Sequence, residues 1–188
     1  MLRHNNTASA PPERTIILGA GGFIGGAILR KLGGASGRVL GLGRKELDLL
    51  DDDAGAKLAK LLRADDALVI VSARAPCKTP AMMPENIRMM AAVCEALAKR
   101  PVAHLVYVSS DAVYADGPLP LTESSPAAPT SLHGAMHLAR EQMIQAAAGA
   151  TPLAVLRPTL VYGAGDPHNG YGPNKFRRQA NFHRTFYA

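Results

Sequence analysis

Thr15-Ile16-Ile17-Leu18-Gly19-Ala20-Gly21-Gly22-Phe23-Ile24-Gly25-Gly26 is the stretch whose reading decides the fold. An apolar, β-rich run enters a cluster of glycines and then opens an amphipathic segment from Phe23 to Leu32. Strand, tight turn and helix start are what a dinucleotide pyrophosphate requires. Glycine lets the backbone turn sharply and lets a phosphate approach without a Cβ in the way. The helix N-terminus then supplies free N–H groups and a partial positive charge. The spacing is Gly19-x-x-Gly22-x-x-Gly25, because Ile24 occupies the last position of the commoner G-x-G-x-x-G pattern. An ordinary glycine-rich turn is the competing reading at this point.

Working outward, strand and helix signals alternate. Gly33 to Gly37 is expected to break the first helix, and Arg38 to Leu42 reads as a second strand. Asp51-Asp52-Asp53 is expected to cap a helix running to about Arg63, since acidic residues favour a helix N-terminus. Ala67 to Ser72 is a continuous apolar run, as in a parallel strand buried on both faces. Glu85 to Lys99 reads as a helix with Ile87, Met90, Ala91, Cys94 and Leu97 on one side, its methionines filling core. A strand over His104 to Ser109, a helix over Ser131 to Ala148 and a strand over Leu153 to Leu156 follow. The pattern predicts an α/β fold, a Rossmann-type doubly wound parallel sheet with helices on both faces. Residues 1–13 read as a disordered lead-in and 14–163 as a dinucleotide-binding domain.

The bulk composition narrows the function classes. A 188-residue chain is long enough for one α/β domain with a real core. The net charge of +6 invites a nucleic-acid partner, but the basic residues are scattered and no Lys/Arg stripe alternates with aromatics. Mild basicity of this kind is more often a solvated surface, or a pull on anionic ligands such as nucleotides. No apolar run approaches a membrane span, and the N-terminus carries no apolar signal core. Cys77 and Cys94 form no CxxC pair, so a reducing cytoplasm is the expected setting. About twenty residues past the glycines, where a carboxylate would accept the ribose hydroxyls of NAD, stands Arg44. An arginine there would pair with a 2′-phosphate and favour NADP; a solvated surface arginine is the alternative.

By Val106-Tyr107-Val108-Ser109-Ser110-Asp111-Ala112-Val113-Tyr114 the chain resembles an extended short-chain dehydrogenase/reductase, and more narrowly the NAD-dependent epimerase/dehydratase family. The glycine motif, Glu46-Leu47-Asp48 and Asn86 after the Ala73-Arg74-Ala75 turn agree in order. Pro129-Thr130-Ser131 before a helix and Arg157-Pro158-Thr159-Leu160-Val161-Tyr162-Gly163 complete the series, over about residues 14 to 180. The resemblance implies NAD or NADP as cofactor, held by Gly19, Gly22, Phe23, Ile24, Gly25, Arg44, Asp48, Ala73 and Ala75. It implies a nucleotide-sugar-like substrate, with Ser110 as the catalytic serine that hydrogen-bonds the reacting oxygen and Asn174 as a further contact. It implies that 164–188 is the start of a substrate-binding region with an atypical tail, and that a homodimer is built through two helices. It also implies a tyrosine that moves a hydroxyl proton and a lysine four residues later that binds the nicotinamide ribose.

Both of those positions are histidine here, His133 and His137. Three readings stand. His133 serves as acid/base with His137 as ribose donor, since imidazole titrates near neutrality. Alternatively the site keeps the dinucleotide fold without chemistry. Or the i, i+4 pair forms half of a metal site, although no third ligand is evident and no metal is expected. The tail Asn181 to Ala188 holds three of the chain's nine aromatics without an amphipathic period. It reads as the product of a premature stop or frame shift that removes most of the substrate-binding part, or as a short homologue's tail packed on the sheet.

Overall fold

The computed structural model describes residues 12–36, 38–117, 120–163, 165–167, 173–176 and 179–180. Most of the expected lead-in and the whole Asn181 to Ala188 tail lie outside the described residues. The elements run β1 (Arg14–Leu18), α1 (Phe23–Ser36), β2 (Val39–Leu42), α2 (Ala54–Leu61), β3 (Asp66–Ile70), α3 (Met82–Lys99) and β4 (His104–Val108). A 3-10 turn η1 (Asp111–Val113), α4 (Leu132–Ala148) and β5 (Leu153–Leu156) follow. All four strand pairings are parallel and the spatial order is β2-β1-β3-β4-β5. The chain steps outward from β1 to β2, then crosses to β3 on the other side of β1. That reversal is the switch point where ligands bind in open α/β sheets, just past the carboxyl ends of β1 and β3.

Right-handed crossovers dictate which face each helix covers. α1, made before the reversal, lies on one face. α2, α3 and α4, made after it, pack side by side on the other. Alternation along the strands divides the core accordingly. Ile16, Leu18, Leu68, Ile70, Leu105 and Tyr107 enter the main cluster with Leu58, Met90, Val93, Leu97 and Ile144 from the three helices. Gly41 allows α1 to close on β2, since a Cβ there would come within 2.8 Å of the Leu29 side chain. Cover thins from the centre outward on the α1 side. All of β3 is buried, β4 alternates, and Leu156 at the end of β5 is 49% exposed.

Five local expectations are corrected. α1 continues through Gly33 and Gly34 to Ser36, because glycine weakens a helix by about 1 kcal/mol per residue without forbidding it. α2 ends at Leu61, and Asp53 stands at its N-cap without a capping bond. The Asp53 carboxylate turns to Lys57 instead, at 2.8 Å. α3 begins at Met82 with Pro84 in its first turn, where a missing N–H costs nothing. Its buried face is Asn86, Met90, Val93, Ala96 and Leu97, while Ala91 is exposed. Met90 and Leu97 stay in the stripe, while Asn86, Val93 and Ala96 replace Ile87, Ala91 and Cys94 in it.

Asn86 is the polar member of that stripe and it fixes the loop after β3. Its Oδ1 accepts the Arg74 N–H at 2.9 Å, and its Nδ2 donates to the carbonyls of Arg74 and Met82 at 3.1 and 2.9 Å. With no exposure, these are bonds that water cannot replace. Asn86→Ala should cost about 2–4 kcal/mol, the sum expected when buried backbone groups lose their partner. Urea denaturation checks this, and a loss below about 1 kcal/mol would mean the loop is held by other contacts.

Candidate functional site

The carboxyl edge of the sheet gathers nearly every residue singled out in the sequence. At the end of β1, Gly19 takes φ +91°, a left-handed conformation natural to glycine. A Cβ on it would lie 2.7 Å from the Ser72 nitrogen, so β1 and the end of β3 approach closely here. A Cβ on Gly25 would lie 2.2 Å from the Gly19 carbonyl oxygen, which makes the third glycine a condition of the turn itself. Gly22 N–H closes that turn onto the Gly19 carbonyl at 3.0 Å. Gly21 is exposed, and a Cβ added to it would meet nothing within 4 Å. Exposed glycine backbone therefore meets the first turn of α1, whose leading N–H groups have no partner inside the helix. The geometry fits an anionic diphosphate.

Arg44 follows β2, 3.7 Å from the Asp48 carboxylate and largely exposed. Asp48 also accepts the Leu50 N–H at 3.0 Å. Ala73 and Ala75 lie on the Asn86-anchored loop after β3, half-buried and exposed respectively, with a cis bond between Ala75 and Pro76. Phe23 faces the segment after β5, where a Cβ on Gly163 would come within 3.1 Å of its ring. Ile24 sits half-buried in the first turn of α1. Asn174 is buried, its Nδ2 donating to the Gly163 carbonyl at 3.0 Å and to Asp166 at 2.9 Å.

Ser110 lies just past β4 and caps η1. Its Oγ accepts the Ala112 N–H at 3.2 Å and lies 3.2 Å from Asp111 Oδ1. α4 is brought against this turn by Gly134, at which a Cβ would stand 1.9 Å from the Ala112 carbonyl oxygen. Ser131 caps α4 by accepting the Gly134 N–H at 3.1 Å. His133, one residue before the contact, is thereby held beside the Ser110 turn.

The two histidines part company. His133 is half-buried and its Nδ1 accepts the Cys77 N–H at 3.2 Å. His137 is only 5% exposed and turns into the core, where its Nδ1 lies 3.0 Å from the Tyr107 hydroxyl. The rings meet edge-on, with centroids 4.7 Å apart. Among the described residues no group of three His, Cys, Asp or Glu side chains could hold a metal ion. Burial, reinforced by His133 and Arg140, pushes the His137 pKa down to about 3. Burial likewise pushes the Tyr107 phenol up to about 12. Both groups are therefore neutral at pH 7.

His137 makes stability pH-dependent in one direction. Its folded pKa lies below the ordinary 6.5, so the unfolded chain takes up this proton first. The contribution is complete above pH 6.5 and drains away as pH falls toward 3, by up to about 1.4 kcal/mol per pH unit. Between pH 8 and pH 5 the loss should be about 2 kcal/mol in urea titrations. His137→Gln, which keeps a partner for Tyr107, should flatten that dependence; an unchanged slope would refute the assignment.

Residues absent from the sequence reading complete the site floor. Arg140 is fully buried, its Nη2 donating to the Ser72 carbonyl at 2.6 Å and its guanidinium 5.4 Å from the Tyr107 ring centroid. Its Nε and Nη1, and Ser72 Oγ, have no hydrogen-bond partner among the described residues. Glu141 is also fully buried. It accepts the Ser109 hydroxyl and a two-pronged bond from Arg157, Nε to Oε1 at 3.0 Å and Nη2 to Oε2 at 2.6 Å. Arg157 Nη1 donates to the Tyr114 hydroxyl at 2.7 Å. Glu141 thus ties α4, the end of β4 and the exit of β5 into one unit. Its only sequence signal was its place one helical turn past His137.

A parallel sheet with a glycine turn at its switch point defines a Rossmann-like α/β class. Residues 15–183 match the model of the NAD dependent epimerase/dehydratase family, and the chain belongs to that family. The fold is shared with a dTDP-4-dehydrorhamnose reductase from Clostridium acetobutylicum, at 20% identity and TM-score 0.72, over 92% of this chain and 60% of that one. It is also shared with UDP-glucuronic acid 4-epimerase from Bacillus cereus in complex with UDP-glucuronic acid and NAD, at 18% identity and TM-score 0.71, over 90% and 63%. A dTDP-glucose 4,6-dehydratase from Streptomyces venezuelae aligns at 20% identity and TM-score 0.72, over 90% and 62%. The chain thus spans about 60% of the length of these structures. No curated protein matches the sequence. Among the described residues no helix is long and apolar enough to cross a membrane.

Proposed function

We propose that this chain binds NAD(P) and carries the oxidoreductase core of an epimerase/dehydratase-type reaction on a nucleotide sugar or a related hydroxyl/carbonyl compound. The observation that carries the reading is the close-packed glycine turn at the switch point, together with the Gly134 contact that holds His133 beside the Ser110 turn past the end of β4. Gly19, Gly22 and Gly25 with the leading amides of Phe23 and Ile24 hold the pyrophosphate. Arg44 and Asp48 take the adenosine ribose end, and Ala73 and Ala75 border the dinucleotide on the loop after β3. When bound, the nicotinamide would exchange hydride with the substrate carbon. Ser110 and His133 address the oxygen on that carbon. Asn174, through its bonds to Gly163 and Asp166, shapes the substrate side.

A second reading, dinucleotide binding without turnover, is favoured by one specific observation. The imidazole at position 137 is buried, neutral and committed to Tyr107, so it supplies no cation to a nicotinamide ribose.

Fluorescence titration of the folded full chain with NADPH and NADH tests both. NADPH should bind about tenfold more tightly, the roughly 1.4 kcal/mol of one charge-assisted contact to a 2′-phosphate. Arg44→Ala should abolish the difference. Binding with turnover on nucleotide sugars supports the first reading, and binding alone supports the second. No binding of either dinucleotide would remove both.

A further inference from the structure

The loop after β3 and helix α4 meet at a hydrogen bond whose direction is chemically fixed. The Cys77 amide nitrogen lies 3.2 Å from a ring nitrogen of His133. A peptide N–H can only donate, so the imidazole nitrogen facing it carries a lone pair and no proton. A neutral imidazole has a single N–H, which must then be on the other nitrogen, Nε2. The assignment follows from the ring orientation that places Nδ1 against the amide.

The surroundings favour the neutral ring. From its own helix, His133 meets the edge-on ring of His137, with the buried Arg140 guanidinium one turn further on. From the loop after β3 comes the buried Cys77, whose thiol burial holds protonated. From η1 comes Asp111, the one carboxylate that favours an imidazolium here. Burial outweighs Asp111 and lowers the His133 pKa below its ordinary value. Protonating Nδ1 would also set one N–H against another and forfeit the Cys77 bond.

We propose that His133 is a permanently neutral hydrogen-bond donor, its Nε2–H fixed by the Cys77 amide, which recognises an acceptor oxygen, a carbonyl or oxyanion, instead of moving a proton. This rests on the reading that Ser110 and His133 address the reacting oxygen. A general base needs a free lone pair, and the Cys77 amide occupies the one this ring has. A general acid would leave imidazolate, which lies far above neutrality. What remains to a neutral N–H is polarisation, stabilising negative charge as it develops on oxygen. The device resides in backbone geometry.

Full-length protein labelled with 15N-histidine provides the test, by long-range 1H–15N correlation from pH 5.5 to 8.5, with His133→Asn assigning the signal. The expected result is one protonated nitrogen, Nε2, and no titration across the range. An Nδ1–H tautomer, exchange between tautomers, or a midpoint near the ordinary 6.5 would overturn the proposal. Cys77→Ala keeps the amide and should leave the pattern unchanged. A changed pattern there would assign the tautomer to the side chain and overturn it as well. The measurement needs no dinucleotide. Failed NADPH binding with the tautomer intact removes the functional reading alone, and binding with a titrating His133 removes this inference alone.

Discussion

Gly134→Ala should lose stability and displace His133 from the Ser110 turn, since the added methyl group would make the deepest overlap of any described glycine in this site. The new Cβ would stand 1.9 Å from the Ala112 carbonyl oxygen, 2.7 Å from its carbon and 2.8 Å from Pro129 Cβ. Two of those three neighbours are backbone, so no rotamer change relieves the overlap. α4 must move off η1, carrying His133 away from the turn that Ser110 caps. Overpacking ordinarily costs about 1–3 kcal/mol, and a backbone-on-backbone overlap this deep belongs at or above the top of that range. Gly21→Ala is the matching control, because nothing lies within 4 Å of its Cβ. It should change stability by less than about 0.5 kcal/mol. Chemical denaturation of both variants decides the point; equal midpoints would mean that α4 and η1 are not in contact in solution.

Glu141→Ala should cost about 3–5 kcal/mol, the penalty of leaving one partner of a buried pair without the other. The carboxylate is fully buried, binds Arg157 through both oxygens and also takes the Ser109 hydroxyl. Its removal strands a guanidinium that is itself held above its ordinary pKa by this contact. Arg157 would then lose its hold on Tyr114, so the exit of β5 and the segment after η1 would loosen together. Replacing both members with apolar residues, as in Glu141→Leu with Arg157→Met, should recover much of the loss, since ion pairs in the interior repay little beyond their desolvation. A double-mutant cycle from urea curves measures the coupling. A single-variant loss under about 1 kcal/mol would show that the pair is solvated.

What could be read in the sequence follows the range of the interactions. The apolar run from Ala67 to Ser72 reads as a buried strand, and its first four residues lie in the fully buried β3, which begins at Asp66 and stops at Ile70. The glycine turn was legible because the positive φ of Gly19 and the approach of Gly25 to the Gly19 carbonyl are properties of a few neighbouring residues. Ser131 before α4 was legible for the same reason. Gly33 and Gly34 misled, because their helical cost is small beside the gain from extending a helix already nucleated at Phe23. The inward turn of His137 was out of reach: its partner Tyr107 is 30 positions away and meets it only once β4 lies under α4. Arg140 reaches across 68 positions to Ser72, and nothing local marks it as buried. Cys77 acts through an amide that every non-proline residue possesses, so its identity carried no signal.

The unequal dressing of the sheet sets an order of events in time. Three helices shield one side of the strands, whereas α1 shields the other side over β1 and β2. The amides of β3, walled in on both faces and bonded to strands on either side, should exchange with deuterium only when the whole molecule opens. Those of β5, at a rim with Leu156 half in water, should exchange through small excursions long before that. Ser110 sits where β4 meets β5, as the Ser109 N–H bond to the Leu156 carbonyl shows. The proposed reaction centre therefore straddles a slow and a fast region, with its cofactor cradle in the rigid part and its substrate side in the part that breathes.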